Sequence, residues 1–455
     1  MLRLCMHWSR CVLAWLSFCA TTASASWPDF RGPTFDGHAP KSSDERSALL
    51  PLRWSETNSV LWKTALPHKG WSSPVILGDR IWLTAASSDG KDFFALGVDA
   101  VSGKVVFNER LFRCETPEPL GNNLNSYASP SAVLEPGRVY FHFGSYGTAC
   151  LDTETFKTIW RRDDLPCRHF RGPGSSPVLH DDLLILTMDG VDVQYLVALD
   201  KLSGKTVWRS DRTASWNDIE ADGKPRGGGD FRKAYSTPLV VDFRGEKQLV
   251  NIGSKAAYAH DPRTGRELWK LDHAGFSPAS RPVSDGTNVF IATGNGKGEV
   301  IAVRLGGTNN VTDSHILWRN SRGAPRMPSP ILHAGLLFMV SDGGIATCLD
   351  AASGDQLWQE RLGGEYAASL IVRDGKIYCF SQDGKATVLK ASRTFEILAT
   401  SRLDSGFMAS PAILDDDLIL RTKTHLYRIG DPAAAARSKS GVQAENYREK
   451  KVVSP

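Results

Sequence analysis

From about residue 54 to residue 430 the chain is a succession of short apolar runs broken by small polar punctuation. Arg80-Ile81-Trp82-Leu83 follows Gly78-Asp79, and further runs follow Asp181-Asp182 and Asp374-Gly375. Second breaks of Asx-Gly type recur at Asp89-Gly90, Asp342-Gly343 and Asp383-Gly384. Short β-branched and aromatic runs bounded by such pairs predict strands joined by hairpins. Glycine supplies positive φ there, and the Asp side chain bonds forward to backbone amides. Helical periodicity is almost absent, so the expected class is all-β.

The runs recur as a unit with two markers. One is a small residue before Pro at the head of an apolar strand: Ser73-Pro74, Ser129-Pro130, Ser176-Pro177, Thr237-Pro238, Arg281-Pro282, Ser329-Pro330 and Ser410-Pro411. Ala367-Ala368-Ser369-Leu370 is an eighth start without the Pro. The other marker closes the unit as Asp-x-x-Ser/Thr-Gly-x-x-x-Trp. It is complete from Asp200 to Trp208, Asp261 to Trp269 and Asp350 to Trp358. Asp99 to Phe107 replaces the Trp, and Asp152 to Trp160 lacks the Gly. The unit ending at Trp318 has a longer turn, and the one ending at Leu398 has decayed. Each unit reads as a four-stranded antiparallel sheet. Such a sheet cannot bury both faces alone, whereas radial stacking does so and leaves only short edges. The expectation is an eight-bladed β-propeller of four-stranded antiparallel blades. Each closing Trp should pack on the neighbouring blade.

The eighth unit, from Pro411, runs through Leu418-Ile419-Leu420 and His425-Leu426-Tyr427-Arg428 and then stops short of a Trp strand. Ser59-Val60-Leu61-Trp62, ahead of the first Pro marker, has the missing pattern. The eighth blade is therefore expected to join both chain ends, removing an open edge. Seven complete repeats with an independent N-terminal strand is the alternative. The expected organisation is a signal peptide over 1–25, a lead-in over 26–53, the propeller over 54–430 and a disordered tail over 431–455. The signal reading rests on Arg3, His7 and Arg10, an apolar run from Val12 to Ala20 too short to span a bilayer, and a small-residue cleavage site at Ala23-Ser24-Ala25. An uncleaved anchor is the alternative. The chain is expected to be exported, periplasmic or extracellular, with no transmembrane segment after cleavage.

Composition alters this picture little: 455 residues, 41% hydrophobic and 23% charged, are ordinary for a globular protein. The formal net charge is +4. Arg3 and Arg10 lie in the leader, and Arg437, Lys439, Arg448, Lys450 and Lys451 in the tail, so the body is close to neutral. A neutral body lacks the basic footprint of a nucleic-acid binder. Cys114, Cys150, Cys167, Cys348 and Cys379 remain after the leader, an odd number. Cys150, Cys348 and Cys379 sit in apolar strand patterns and read as small buried hydrophobes. Cys114 and Cys167 occupy matching loops, and their pairing stays open because spacing does not give a Cα separation.

The repeated turn-plus-Trp motif resembles the pyrroloquinoline quinone (PQQ) repeat propellers. Within them the chain is most similar to the BamB-type, PQQ-like proteins, over roughly residues 54 to 430. The opening Trp27-Pro28-Asp29-Phe30-Arg31-Gly32-Pro33 looks like the lead-in of exported members from planctomycete-type bacteria, and reads as a lineage marker. The BamB resemblance implies a lipid-anchored scaffold for outer-membrane β-barrel assembly. Phe18 before Cys19 departs from a lipobox and puts the anchor in doubt. The quinoprotein dehydrogenases of the family imply PQQ with calcium, a vicinal disulfide and an Asp base. Here there is no adjacent Cys pair and no Cys-x-x-Cys-His for a c-type haem. The expectation is a non-catalytic binding or scaffold module without cofactor, the alternative a PQQ-dependent alcohol or sugar dehydrogenase.

Other chemistry is weaker still. Gly294-Asn295-Gly296-Lys297-Gly298 lacks the Gly-Lys-Ser/Thr ending of a phosphate loop and reads as a hairpin turn. Asp415-Asp416-Asp417 fits turn chemistry, and Asp189-Gly190-Val191-Asp192 offers too few oxygens for calcium. The 11 His form no zinc-like cluster. The informative residues lead into the first strand of each blade, where one mouth of the central channel is expected. A ligand or partner site there would use Trp71, Asn125, Tyr127, His169, Arg171, Arg232, Tyr235, Arg326, Tyr366 and Phe407. Aromatic and Arg residues around one concave surface suit a binding role; simple cover for the channel end is the competing role. The long loop from Arg209 to Ala234, with Gly227-Gly228-Gly229, adds to that surface. The partner is expected to be a cell-envelope protein or a small-molecule ligand, and the chain a monomer.

Overall fold

The computed structural model describes residues 26–40 and 49–433. Residues 1–25, expected as a signal peptide, residues 41–48, and residues 434–455, most of the expected tail, lie outside the described residues. The described chain forms eight sheets in a ring, with almost no helix. Blade 1 holds Val75–Leu77, Arg80–Ala86, Asp92–Asp99 and Val105–Arg113. Blades 2 to 7 begin at Val133, Val178, Leu239, Val283, Ile331 and Ile371. Blade 8 takes Ala412–Leu414, Asp417–Arg421 and His425–Ile429 from the C-terminal end and Val60–Ala65 from the N-terminal end. The two ends pair antiparallel, Trp62 opposite Arg428. The independent-strand alternative is thereby excluded.

The core is a ring of slabs between sheets. Leu184, Leu186 and Met188 pack toward blade 2, whereas Leu183 and Ile185, on the other face of the same strand, pack toward blade 4. Both faces are covered, so the central strands read as near-continuous apolar runs rather than alternating ones. The largest cluster joins blades 7, 8 and 1 across the seam of the ring. There Arg421 is fully buried and donates to the Ser72 and Thr84 carbonyls of blade 1 at 3.0 and 3.1 Å.

The closing motif of each repeat is an inter-blade joint. In all eight outer strands the register slips one residue just before the Trp position. Such a bulge re-aims the side chain. The indole N–H groups of Trp62, Trp160, Trp208, Trp318 and Trp358 donate to Ala100, Lys201, Pro262, Ala351 and Ser392 carbonyls in the next blade's turn, at 2.9–3.1 Å. The motif glycine lies under the same ring: a Cβ on Gly204 would sit 2.7 Å from Trp160. The imperfect repeats obey the same geometry. Where Phe107 replaces Trp, the next turn carries Phe156 in place of Gly, and the two rings lie 5.3 Å apart. After Trp269 the longer turn adds Asn309–Asn310 as a parallel strand beside it.

A second ring lines the channel. The backbone N–H heading each first strand donates to a hydroxyl of the next blade: Ser410 to Ser73, Ser73 to Ser131, Ser131 to Ser176 and Ser176 to Thr237, at 2.8–3.0 Å. It resumes from Arg281 to Ser329, Ser369 and Ser410 at 2.9–3.0 Å. In blade 2, Val133 pairs with Tyr140 as Val75 pairs with Trp82, so Ser131 is the ring residue. The Ser129-Pro130 marker is thus out of register with the others, because the ring selects the hydroxyl and not the Pro.

Gly204 and Gly245 both have positive φ, +72° and +86°, but nothing lies within 4 Å of a Cβ on Gly245. Both Ala substitutions carry the left-handed backbone cost, on the order of 1 kcal/mol. Gly204→Ala should also dislodge Trp160, so its loss of stability in denaturant unfolding should be clearly the larger. Equal losses would contradict the joint.

Candidate functional site

The break in the hydroxyl ring lies at blade 5, where Arg281 stands in place of Ser or Thr. Its guanidinium ion-pairs with Asp29 at 2.5 Å, with side chains 1% and 2% exposed. It also donates to the Pro238 carbonyl at 3.0 Å and lies over the rings of Phe30 and Phe35. Asp29 belongs to the lead-in, which threads the channel rather than preceding the propeller as an appendage. Ser26–Trp27 pairs with the first strand of blade 1, and Leu134 of blade 2 donates to the Pro28 carbonyl. Arg31, buried, donates to the carbonyls of Pro330 at 2.7 Å and of Leu370, and Ala39 bonds to Val372. Burial pulls the Arg31 guanidinium down to about 9. Trp27 is fully buried, and Gly32, at φ +79°, folds directly onto its ring. The Trp-Pro-Asp-Phe-Arg-Gly opening is thus a plug with a physical role, not only a lineage marker.

The plug lies along the inner strands, and a cavity of about 390 Å³ opens at the mouth. Phe30 and the hydroxyls of Ser73, Ser131, Ser176, Thr237, Ser369 and Ser410 are among its lining. Trp71, Asn125, Arg171, Tyr235 and Arg326 also line it. Asn125 shapes the rim, its amide donating to the carbonyls of Arg171, Gly172 and Pro173 at 2.8–3.1 Å. Arg171 reaches Asp230 at 3.5 Å, and Arg326 reaches Asp342 at 3.4 Å. The Trp71 indole N–H is buried without a partner.

The other five expected residues lie elsewhere. The Tyr127 hydroxyl donates to the Glu118 carbonyl and its ring covers Gly90. Arg232 is held by both oxygens of Asp218, at 2.5 and 2.9 Å, inside the long loop. Tyr366 is fully buried, with its N–H on the Asp342 carbonyl. Phe407 packs on Phe380 in the seam cluster. His169 is buried, its Nε2 accepting the Ser145 N–H at 3.0 Å. Its proton therefore sits on Nδ1, facing Cys167 Sγ at 3.6 Å. Burial holds the imidazole neutral, at about 4, and raises the Cys167 thiol. Cys114 and Cys167 are both free thiols.

Sequence reasoning missed the hydroxyl ring, Phe30, Lys233, Phe276 and Asp342. The repeated Ser before Pro was the signal for the ring, but it reads locally as a turn marker. The long loop owes its position to a buried bidentate pair, Arg212 with Asp189 at 2.7 and 3.0 Å. Gly229, at φ +88°, has room only for hydrogen against the Val191 carbonyl.

The lining does not fit a calcium-bound quinone. Its two carboxylates are already engaged, Asp230 by Arg171 and Lys233, and Asp342 by the Arg326 side chain and N–H. No cysteine lines it. Among the described residues no group of three or more His, Cys, Asp or Glu side chains could hold a metal ion.

Comparisons with known proteins agree with this architecture. A family model described as outer membrane protein assembly factor BamB matches residues 125–344 and 253–394. The outer membrane protein assembly factor BamB of Yersinia pestis is 23% identical over 263 residues, 54% of this chain and 59% of that protein. The crystal structure of BamB from Moraxella catarrhalis superposes with TM-score 0.57 at 14% identity, covering 81% of this chain and 99% of that one. A europium-containing methanol dehydrogenase gives 0.61 at 11% identity, over 87% and 89%. A quinohemoprotein alcohol dehydrogenase from Comamonas testosteroni gives 0.60 at 12%, over 90% and 82%. At such identities these likenesses establish the shared fold alone.

Removing one partner of a buried pair strands the other charge, at a cost of about 3–5 kcal/mol. Arg281→Ser alone should therefore destabilise more in chemical unfolding than Asp29→Asn with Arg281→Ser. A double variant less stable than the single would contradict the pairing.

Proposed function

The chain belongs to the PQQ-like propeller family whose model is described as outer membrane protein assembly factor BamB, and from that premise we propose that it is a non-catalytic cell-envelope scaffold that holds a protein partner on its mouth face. Neighbouring loops there expose apolar side chains: Leu124 at 46%, Phe170 at 37% and Ile219 at 62%. This rim is the observation that carries the proposal. It lies on the loops leading into blades 2, 3 and 4, beside charged Arg168 and Arg226. Apolar anchors within a polar rim are the usual make-up of a protein-binding surface. The loops are held firmly, by Arg212–Asp189 and Arg232–Asp218 and by Glu118 accepting from Arg168 and the Phe170 N–H. A preorganised surface binds without the cost of ordering its loops.

The fold-sharing dehydrogenases support a second class of function only through their backbone. The engaged carboxylates and the absence of cysteine from the cavity lining favour the scaffold. No helix among the described residues is long and apolar enough to cross a membrane.

The test is affinity capture from detergent-solubilised envelopes of the source organism, with mature wild-type chain and with Leu124→Glu/Ile219→Glu. The wild type should retain outer-membrane β-barrel assembly components, and the double variant should lose them while melting at the same temperature. Equal capture by both proteins would remove the rim from the proposal.

A further inference from the structure

The hydroxyl ring has hydrogen-bonding capacity that the fold does not use. The oxygens of Ser73, Ser131, Ser176, Thr237 and Ser410 each accept a backbone N–H from the preceding blade. A hydroxyl whose oxygen already accepts retains its proton to donate. None of these five hydroxyls donates to any described protein group, whereas Ser369 donates to Ser329 at 3.0 Å. All five are more than nine-tenths buried and line the mouth cavity. They come from five consecutive blades, 8, 1, 2, 3 and 4, and so form an arc around one side of the channel floor. Near them are two guanidinium groups, Arg171 and Arg326, and Lys233, whose ammonium burial pulls down to about 7, against two carboxylates, Asp230 and Asp342. The cavity is thus rich in donors, and two fixed guanidinium groups stand at its rim. Phe30, Tyr235 and Phe276 supply apolar wall.

Buried donors without acceptors are costly to leave unmatched. A group that accepts several hydrogen bonds and carries negative charge answers both the arc and the cations, and hydrogen bonds to charged acceptors are the stronger ones. We infer that the mouth cavity is a binding site for a small organic oxyanion, its carboxylate or phosphate seated on the hydroxyl arc and its apolar body against the aromatic wall. The inference deepens the mouth-face reading but does not depend on which protein occupies the rim. Leu124 also lines the cavity whereas Ile219 does not, so Ile219→Glu alone probes the rim without touching the arc, and each reading can fail alone.

The experiment is titration of the mature chain by isothermal calorimetry with benzoate, phenyl phosphate and, as the neutral control, benzyl alcohol, alongside inorganic phosphate. Benzoate or phenyl phosphate should bind, and more tightly than benzyl alcohol by on the order of tenfold or more. Phosphate binding alone identifies the oxyanion as the whole recognised group and overturns the apolar-wall part. Arg171→Met/Arg326→Met leaves the ring hydroxyls in place and should weaken the organic anions by a similar factor with little change for benzyl alcohol. Thr237→Val removes one donor at nearly constant shape, together with the acceptor of the Ser176 N–H, and should weaken the anions selectively, with thermal melting recorded as a check on folding. If Thr237→Val does not fold, the arginine variant decides. Absence of any anion binding to the wild type, equal binding of benzyl alcohol, or unchanged anion binding in the arginine variant would each overturn the inference. Envelope capture with the same variants distinguishes failure here from failure of the scaffold reading.

Discussion

The buried ion pair between Asp29 and Arg281 is the constraint on which the shape of the channel depends. Taking either charge out of water alone would cost several kcal/mol, so neither is tolerated without the other. Arg281 occupies the one position where the repeat would otherwise place a hydroxyl, and the ring of amide-to-hydroxyl bonds breaks there. Asp29 fills that break from the channel side and also accepts the Arg31 N–H at 2.9 Å. The lead-in is thereby fixed across the channel, with Arg31 on carbonyls of blades 6 and 7 and Trp27 against blade 1. Phe30 then joins the lining of the mouth cavity.

The ring that surrounds this plug is held by many small, repeated joints. Each blade buries its two faces on two neighbours, so no blade is stable by itself and closure matters to all eight. The closing strand, Val60–Ala65, contributes Trp62 to the same joint that the internal repeats make, and Arg421 and Arg428 add bonds into blade 1. At this seam the closing blade is tied to blade 1 much as its siblings are tied to each other. The long mouth loop is tied to this ring by the buried Arg212–Asp189 pair.

The fold was legible because its determinants are local. Asp-x-x-Ser/Thr-Gly-x-x-x-Trp states its own turn chemistry, with Asp200 accepting the Ser203 N–H and hydroxyl, and its own inter-blade contact. Repetition then gives the architecture. The plug was not legible, because Asp29 and Arg281 are 252 residues apart and each is unremarkable where it stands. Arg281-Pro282 is the one charged member of the small-residue–Pro series, and the structure explains that departure. In the mouth, residue type suggested Trp71, Arg171 and Arg326, which line the cavity, and equally Tyr366 and Phe407, which turn inward. An aromatic in a loop favours burial as readily as binding, and the direction of its side chain follows from tertiary packing that spacing does not encode. Ser73, Ser176 and Ser410 stood in the Pro markers, whereas Ser131 did not, and only their mutual geometry distinguishes a turn residue from a donor.

Amide hydrogen exchange over residues 26–40 tests the plug most directly. The account places the amides of Gly32, Phe35, Gly37 and Ala39 in hydrogen bonds to the Asp29, Gly32, Arg31 and Val372 carbonyls. They should exchange as slowly as those of the inner strand Ile371–Arg373, and Arg281→Ser should release the lead-in while the outer strands stay protected. Exchange of the wild-type lead-in at free-peptide rates, beside a protected ring, would contradict the account.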